Sequence, residues 1–590
     1  MKSRNAVGYV VQVDGTEVTL NLLDVHRGHL AAHSQGVSVV TDIGSLLALD
    51  AGSRLLILKV LSLTFAEPKE AHRIGAAGAT AGEPLRQIKG LIVGRLAAAE
   101  TTYEFISDSL STPPLGAEAF PLTEKELTAV LGSHRTLKAP IHLGDDLRGG
   151  GPLMVGLEDL ISRHVAVLGS SGQGKSCFTA AILQQVVQFP GARIVIFDIN
   201  GEYEDAFDPA TLPEQAIKVT RLGDEGAQGL RLPYFALGRL GLQRLLIPSD
   251  KTQRPALTFA IEALNKVRWF QDRNGVGLAG DAAPTLFDDC RADGATAAAQ
   301  SMQRLRDNQA GTANVWPPME ALSALIAESH ALVPGRNGFE RNAFNYGNVA
   351  PLITRVNRFV EDPMFSAVVD VGGGAGHSVP LSWKSESTAL VDKIFGGAEV
   401  EWRVHIVDLR KVAHDLTPFV LGALLELYAY ELFHRGQENK VPTMLVLEEA
   451  HHYLRPMGTG DEAVANSLAY ERLAKEGRKF GLALWLSTQR PSEVSPTVLS
   501  QCNNWISFRL TSDKDLAAVQ AASEWADRRE VRRIAGLPRQ TAIAFGGSLQ
   551  MPSLMRAPTA NPLPRSQDAA FDLWNSRADE YHEPLGEIDA

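Results

Sequence analysis

Gly169-Ser170-Ser171-Gly172-Gln173-Gly174-Lys175-Ser176 follows the apolar run VAVL at 165–168 and precedes a helix-length segment opening at Cys177. It matches G-x-x-x-x-G-K-[ST] in full, and a strand before it and a helix after it make the motif a phosphate site. The glycines let successive backbone N–H groups face one concavity, and the helix N-terminus adds a favourable field for anionic oxygens. In this reading 169–177 cradle the phosphates of ATP, Lys175 neutralises charge on the β- and γ-phosphates, and the Ser176 hydroxyl ligates Mg²⁺.

Outward from this loop, further short apolar runs lie at 193–198, 404–408, 444–447 and 482–489, with helix-length segments at 177–188, 418–434 and 464–478 between them. Continuous apolar strands alternating with helices predict a doubly wound α/β domain whose parallel sheet is covered on both faces. The gap between the second and third strands exceeds roughly 200 residues, too long for a connection. Leu257, Ile261 and Leu264 recur at helical spacing there, as do Leu352, Val356, Phe359 and Val360, and 297–308 and 319–333 also read as helices. A helical insertion is therefore expected over 236–390, dividing the core into 146–235 and 391–550.

Before the core, 7–22 (VGYVVQVDGTEVTLNL) alternates around Asp14-Gly15, which predicts a tight hairpin centred on that dipeptide. Strand-like runs at 54–63 and 87–96 follow, separated by the turn-rich GAAGATAGEP at 75–84. Short strands of this kind suggest a small β-barrel within 1–145. The Pro-rich stretch from Met551 reads as an extended arm over 551–590.

Hydrolysis needs carboxylates beside the phosphates. Glu448 and Glu449 leave the run at 444–447, at the strand end where ligands sit in open α/β sheets. Neighbouring strand residues point opposite ways, so Glu448 is assigned to the Mg²⁺ shell and Glu449 to the attacking water. Asp198 ends its strand and either orients water or metal or caps its own loop. Gln489 is placed to bond a γ-phosphate or the nucleophilic water. Arg472, Lys475, Arg478 and Lys479 form a basic helical face ahead of the last strand. Arg478 is the candidate for an arginine supplied to a neighbouring subunit's phosphates, with Arg472 and Arg509 behind it. His451 and His452 read as structural neighbours of the carboxylates, because no other His or Cys has metal spacing.

GSSGQGKS, DINGEY (198–203), LEEAH (447–451), KEGRKFG (475–481) and STQRPSEVSPTVLSQCN (487–503) occur in that order, and together they resemble the HerA branch of the HerA/FtsK ATPases. The β-rich start resembles that family's HAS-barrel. The resemblance spans roughly 1–560. It implies a RecA-like core in a hexameric ring, active sites between subunits, and double-stranded DNA through the pore. It further implies nucleotide and metal on Lys175 and Ser176, an acidic pair at Glu448 and Glu449, a sensor at Gln489 and a trans arginine at Arg478. Glu448 stands where many relatives have Asp, which alters its distance to the metal. Family members work beside a NurA-type nuclease or, in anti-phage pairs, a nuclease or sirtuin-like effector, and the amino-terminal barrel is the expected docking surface.

Composition bounds the alternatives. The chain has 590 residues, ordinary apolar content (45%) and 31 prolines, which fit folded domains rather than a disordered or collagen-like chain. The net charge of −11 excludes a whole-chain basic footprint for nucleic acid and leaves room only for a local basic channel. Cys177, Cys290 and Cys502 are too few and too far apart for a disulfide framework, which fits a reducing compartment. The absence of any long apolar run or secretory start predicts the cytoplasm and argues against a conjugative or secretion ATPase with a membrane anchor. Two readings stay open: a DNA motor, and an ATP-gated platform that assembles and switches an effector.

Overall fold

The computed structural model describes residues 6–565 apart from 24–29, 34–35, 40–41, 53, 67–84, 99–102, 108–110, 132–136, 148–150, 263–317, 336–337, 373–382, 439, 456–468 and 524–527. The turn-rich stretch 75–84, the helix expected at 297–308, Cys290 and the arm beyond 565 lie outside the described residues.

Alternating strands near the start close into a barrel: β1 (Gly8–Asp14), β2 (Glu17–Leu22), β3 (Leu46–Asp50), β4 (Leu55–Phe65), β5 (Arg86–Ala98) and β7 (Glu118–Pro121), with β6 (Tyr103–Ile106) added outside on β5. The order β2-β1-β7-β3-β4-β5 is shut by pairing of β5 with β2. Val10, Val18, Leu20, Leu47, Leu49, Leu58 and Ile88 fill the interior. The first hairpin turns one residue later than expected, because Asp14 pairs with Glu17 and Gly15 alone of the dipeptide has positive φ (59°). A glycine at the first of two turn residues suits a primed turn, which keeps Asp14 in the strand.

The core is a 12-stranded mixed sheet. Its strands in chain order are β8 (Pro140–Asp146), β9 (Pro152–Gly156), β10 (His164–Leu168), β11 (Ile194–Asp198), β12 (Ile217–Leu222), β13 (Gly229–Leu230), β14 (Val404–Asp408), β15 (Thr443–Leu447), β16 (Leu482–Thr488), β17 (Cys502–Ser507), β18 (Thr541–Gly546) and β19 (Ser553–Arg556). In space they run β9-β8-β19-β18-β17-β10-β16-β15-β11-β14-β12-β13. From β17 to β13 neighbouring strands are parallel, and β8, β9, β18 and β19 extend the other edge in antiparallel fashion. The five apolar runs are strands within a residue or two of their expected limits, as burial on both faces demands.

Helix α1 (Lys175–Val186) packs on one face through Phe178, whose ring lies 6.1 Å from Trp485 and 5.8 Å from Phe508. The Trp485 indole N–H also donates to Thr179 Oγ1 at 3.2 Å. On the other face α2 (Thr417–Arg435) and α3 (Ala469–Glu476) cover Leu445, Leu447, Leu484 and Leu486 in the larger core.

Helices Gly238–Leu246, Ala321–Ala331, Ala343–Glu361, Pro363–Val368 and Trp383–Phe395 lie between β13 and β14, and they join that same core through Leu322, Leu325, Leu352 and Val356. The segment 319–333 is not helical throughout: Leu332–Gly335 pairs with Gly338–Arg341 as a hairpin. Likewise 551–556 is not a free arm, because β19 completes the antiparallel edge between β18 and β8, and Met551 is buried against Leu46, Ala48 and Ile57 of the barrel. No helix among the described residues is long and apolar enough to cross a membrane.

Candidate nucleotide site

The sheet order decides which side chains meet. β16 lies between β10, which feeds the phosphate loop, and β15, which feeds the acidic pair. Two strand spacings of ~4.8 Å therefore separate the loop from Glu448 and Glu449, and Gln489, at the exit of β16, stands between them.

The loop is pinned by backbone groups from its neighbours. The Gly169 N–H donates to Thr488 O at 3.3 Å, the Ser170 N–H to Arg509 O at 2.9 Å, and the Gln540 N–H to Gln173 O at 3.1 Å. Gly174 caps α1 in the left-handed region (φ 107°), a conformation closed to most residues with a Cβ. Lys175 is the first helical residue and is 6% exposed; its Nζ donates to Ser170 O at 3.2 Å, which folds the side chain back over the loop. Burial pulls its pKa down, and the carboxylates of Glu449, Glu448 and Glu202 pull it back up. Ser176 follows in the first turn and is half-buried. The Cys177 thiol faces away from this cradle, with Sγ accepting the Ala560 N–H at 3.5 Å.

β15 stops at Leu447, and the two acids part by a turn rather than by strand alternation: Glu449 is left-handed (φ 46°), an uncommon and costly conformation for a side-chain-bearing residue. Both acids are buried. Glu448 Oε1 accepts the Tyr203 hydroxyl, and its backbone carbonyl accepts the Tyr453 hydroxyl at 3.1 Å. Burial lifts the Glu448 carboxyl to about 7, against the pull of the Tyr203 hydrogen bond. Glu449 Oε1 accepts the Gln489 amide, whereas its Oε2 is buried without a hydrogen bond. His451 Nδ1 lies 3.3 Å from that oxygen and 3.1 Å from Thr488 Oγ1. Burial lowers the His451 pKa, so the ring is neutral and no ion pair forms at neutral pH.

Asp198 resolves towards one of its two readings. One carboxylate oxygen accepts the N–H groups of Gly201 (2.8 Å) and Glu202 (3.0 Å), and the other that of Tyr203 (2.9 Å). It organises its own loop and does not turn to the phosphates. The opposite end of β16 carries Arg478, exposed on the short turn Gly477–Phe480 beyond α3. Seven strand residues at ~3.3 Å each put it roughly 20 Å from Gln489, out of reach of its own chain's phosphate loop. Arg472 is occupied elsewhere, with its guanidinium 3.9 Å from the centre of the Phe433 ring. Arg509 is exposed beside the loop that its carbonyl supports.

The residues fit a magnesium nucleotide. A buried lysine and a hydroxyl at a helix N-terminus are the groups that a metal-bridged triphosphate would use, and the buried Glu449 Oε2, which makes no hydrogen bond, is an acceptor for a water beside it. Lys175 and Ser176 would hold phosphate and metal, and Glu448 would join the metal's shell. When bound, Mg²⁺ neutralises phosphate charge. Sequence reasoning missed Tyr203 and Glu202, although both lie in the DINGEY stretch. A Tyr five residues past a strand-ending Asp carries no motif signal until the sheet order sets β11 beside β15.

Residues 141–310 match the family model of the central domain of the helicase HerA. The DNA double-strand break repair helicase HerA of Pyrococcus furiosus is 26% identical over 70% of this chain and 68% of its own length. A probable helicase of Methanocaldococcus jannaschii is 23% identical over 74% of this chain and 73% of its own. Among solved structures, VirB4 of Thermoanaerobacter pseudethanolicus is similar at 16% identity and a TM-score of 0.46, covering 72% of this chain and 97% of that one.

Proposed function

We propose that this HerA-like P-loop ATPase couples ATP hydrolysis to movement along double-stranded DNA, working as a homo-hexameric ring in the cytoplasm. The observation that carries the reading is the meeting of Lys175, Glu448, Glu449 and Gln489 at the ends of three consecutive strands in space, β10, β16 and β15. Relatives named as DNA double-strand break repair helicases supply the substrate class. With a net charge of −11, DNA contacts must be confined to a local basic surface such as a ring's pore. A NurA-type nuclease, or a nuclease or sirtuin-like effector of anti-phage defence, is the proposed partner, docking near the amino-terminal barrel.

Duplex DNA is expected to raise the steady-state ATPase rate severalfold, and the stimulation should fall steeply with added salt, as phosphate-backbone contacts require. A rate indifferent to duplex, together with no DNA binding by the assembled ring, sinks the motor and leaves an ATP-gated scaffold for the effector.

Arg478 lies too far from its own phosphate loop to act there, so its proposed site is the adjacent subunit's nucleotide. Arg478→Ala is expected to lower turnover by about 10³-fold or more while leaving ring assembly intact. Mixed with wild type, it should remove more activity than dilution accounts for. Loss in strict proportion to the mutant fraction would show that no arginine crosses the interface.

A further inference from the structure

We propose that Tyr203 is a positioning residue for Glu448: its hydroxyl holds one carboxylate oxygen so that the other is the one presented to Mg²⁺. This rests on the reading of Glu448 as a metal-shell carboxylate.

Tyr203 is fully buried, and its hydroxyl donates to Glu448 Oε1 across the gap between the β11 and β15 exits. An ionised carboxylate can only accept, so the phenol is the donor of this pair and fixes which carboxylate oxygen it holds.

The loop that delivers the phenol is clamped from three sides. Asp198 gathers the N–H groups of Gly201, Glu202 and Tyr203 on its two oxygens. Arg410, held on Asp408 at 2.7 and 3.1 Å, lies against Gly201, where an added Cβ would come within 2.2 Å of its Cδ. From outside, the Arg565 N–H donates to Glu202 O at 2.8 Å. The constraint continues to the far side of the carboxylate, where the Tyr453 hydroxyl holds the Glu448 backbone carbonyl. A loop fixed to this degree, ending in one buried hydroxyl, is suited to setting the orientation of an acid. It also gives Asp198 a role through Tyr203 rather than at the nucleotide.

Tyr203→Phe removes the hydroxyl and keeps the ring. The readout is binding of a fluorescent ATP analogue to the full chain while Mg²⁺ is titrated, with a parallel measurement in EDTA. The Mg²⁺ concentration for half-saturation is expected to rise about 10-fold or more, the usual penalty for losing a partner that orients a metal-binding group. Affinity in EDTA should be unchanged. Glu448→Gln should raise the Mg²⁺ requirement too, and adding Tyr203→Phe to it should cost less than about twofold more, because the two act as one unit. Asp198→Asn, which loosens the loop without touching the phenol, should move the requirement the same way and serves if Tyr203→Phe lowers the melting temperature.

An unchanged Mg²⁺ requirement in Tyr203→Phe beside a shifted one in Glu448→Gln overturns the proposal, and so do fully additive effects. An unshifted Glu448→Gln would instead remove the metal-shell reading of Glu448, and the proposal with it.

Discussion

Lys175→Ala should bring ATP turnover to background, a loss of roughly 10²–10³-fold or more, the scale seen when a single charge-stabilising donor is removed from an active site. The reason is specific to the charges around it. Lys175 is 6% exposed, and its ammonium is attracted by the carboxylates of Glu449, Glu448 and Glu202. With Ala in its place, three acids would confront an incoming polyanion without a counter-charge, in a site where burial weakens solvent screening. Nucleotide affinity should therefore fall together with turnover. The fold should survive, because α1 is anchored by Phe178 against Trp485 and Phe508 and by Thr179 on the Trp485 indole, none of which involves the lysine. Equilibrium binding of a fluorescent ATP analogue, steady-state phosphate release and a thermal melt test all three parts. Turnover within about tenfold of wild type, in a protein that still binds ATP, would place the phosphate site elsewhere.

Much of this site is legible in the sequence, and the reason is physical. Strands buried on both faces must be apolar throughout, so β10, β11, β14, β15 and β16 stand out as runs, and the loop after β10 carries its own signature in Gly174-Lys175-Ser176. β12 did not stand out, since IKVTRL carries Lys218 and Arg221, both only half-buried near the edge of the sheet, and reads as ordinary surface sequence. What sequence could not supply was the order of strands in space. That β16 intervenes between β10 and β15 is a long-range pairing fact, and only it explains why the Gln489 amide meets Glu449. The left-handed turn at Glu449 was hidden for a related reason: it is a strained conformation imposed by its surroundings, and local propensity argues against it. Alternation along an ideal strand gave the right separation of the two acids by the wrong route. The same holds for 551–556, where prolines on either side of SLM suggest an arm, although Pro552 and Pro558 lie just outside the paired strand Ser553–Arg556 and take no hydrogen bond from its ladder.

Glu449→Gln separates binding from chemistry and should give the complement of the lysine variant. The side chain is buried, with Oε1 taken by the Gln489 amide and Oε2 making no hydrogen bond. An oxygen left unpaired in a buried site is costly unless something else fills the role, and a water awaiting attack on the γ-phosphate is the occupant this chemistry calls for. Glutamine keeps the volume and can still accept from Gln489, but it cannot take a proton and it removes one negative charge facing Lys175. ATP affinity should therefore be equal to or tighter than wild type, because the polyanion meets one acid fewer. Hydrolysis should drop by roughly 10²–10⁴-fold, the range expected for loss of a general base. Single-turnover hydrolysis with enzyme in excess, beside equilibrium binding of ATP, reads the two terms apart. A variant that no longer binds ATP would mean that Glu449 helps hold the nucleotide and that the base lies elsewhere; near-normal hydrolysis would mean that the neutral Gln489 amide suffices to orient the water. Because Lys175→Ala should lose binding and Glu449→Gln should keep it, the pair tests one geometry from its two ends: a cationic grip on the phosphates at the exit of β10, and a proton acceptor two strands away across Gln489.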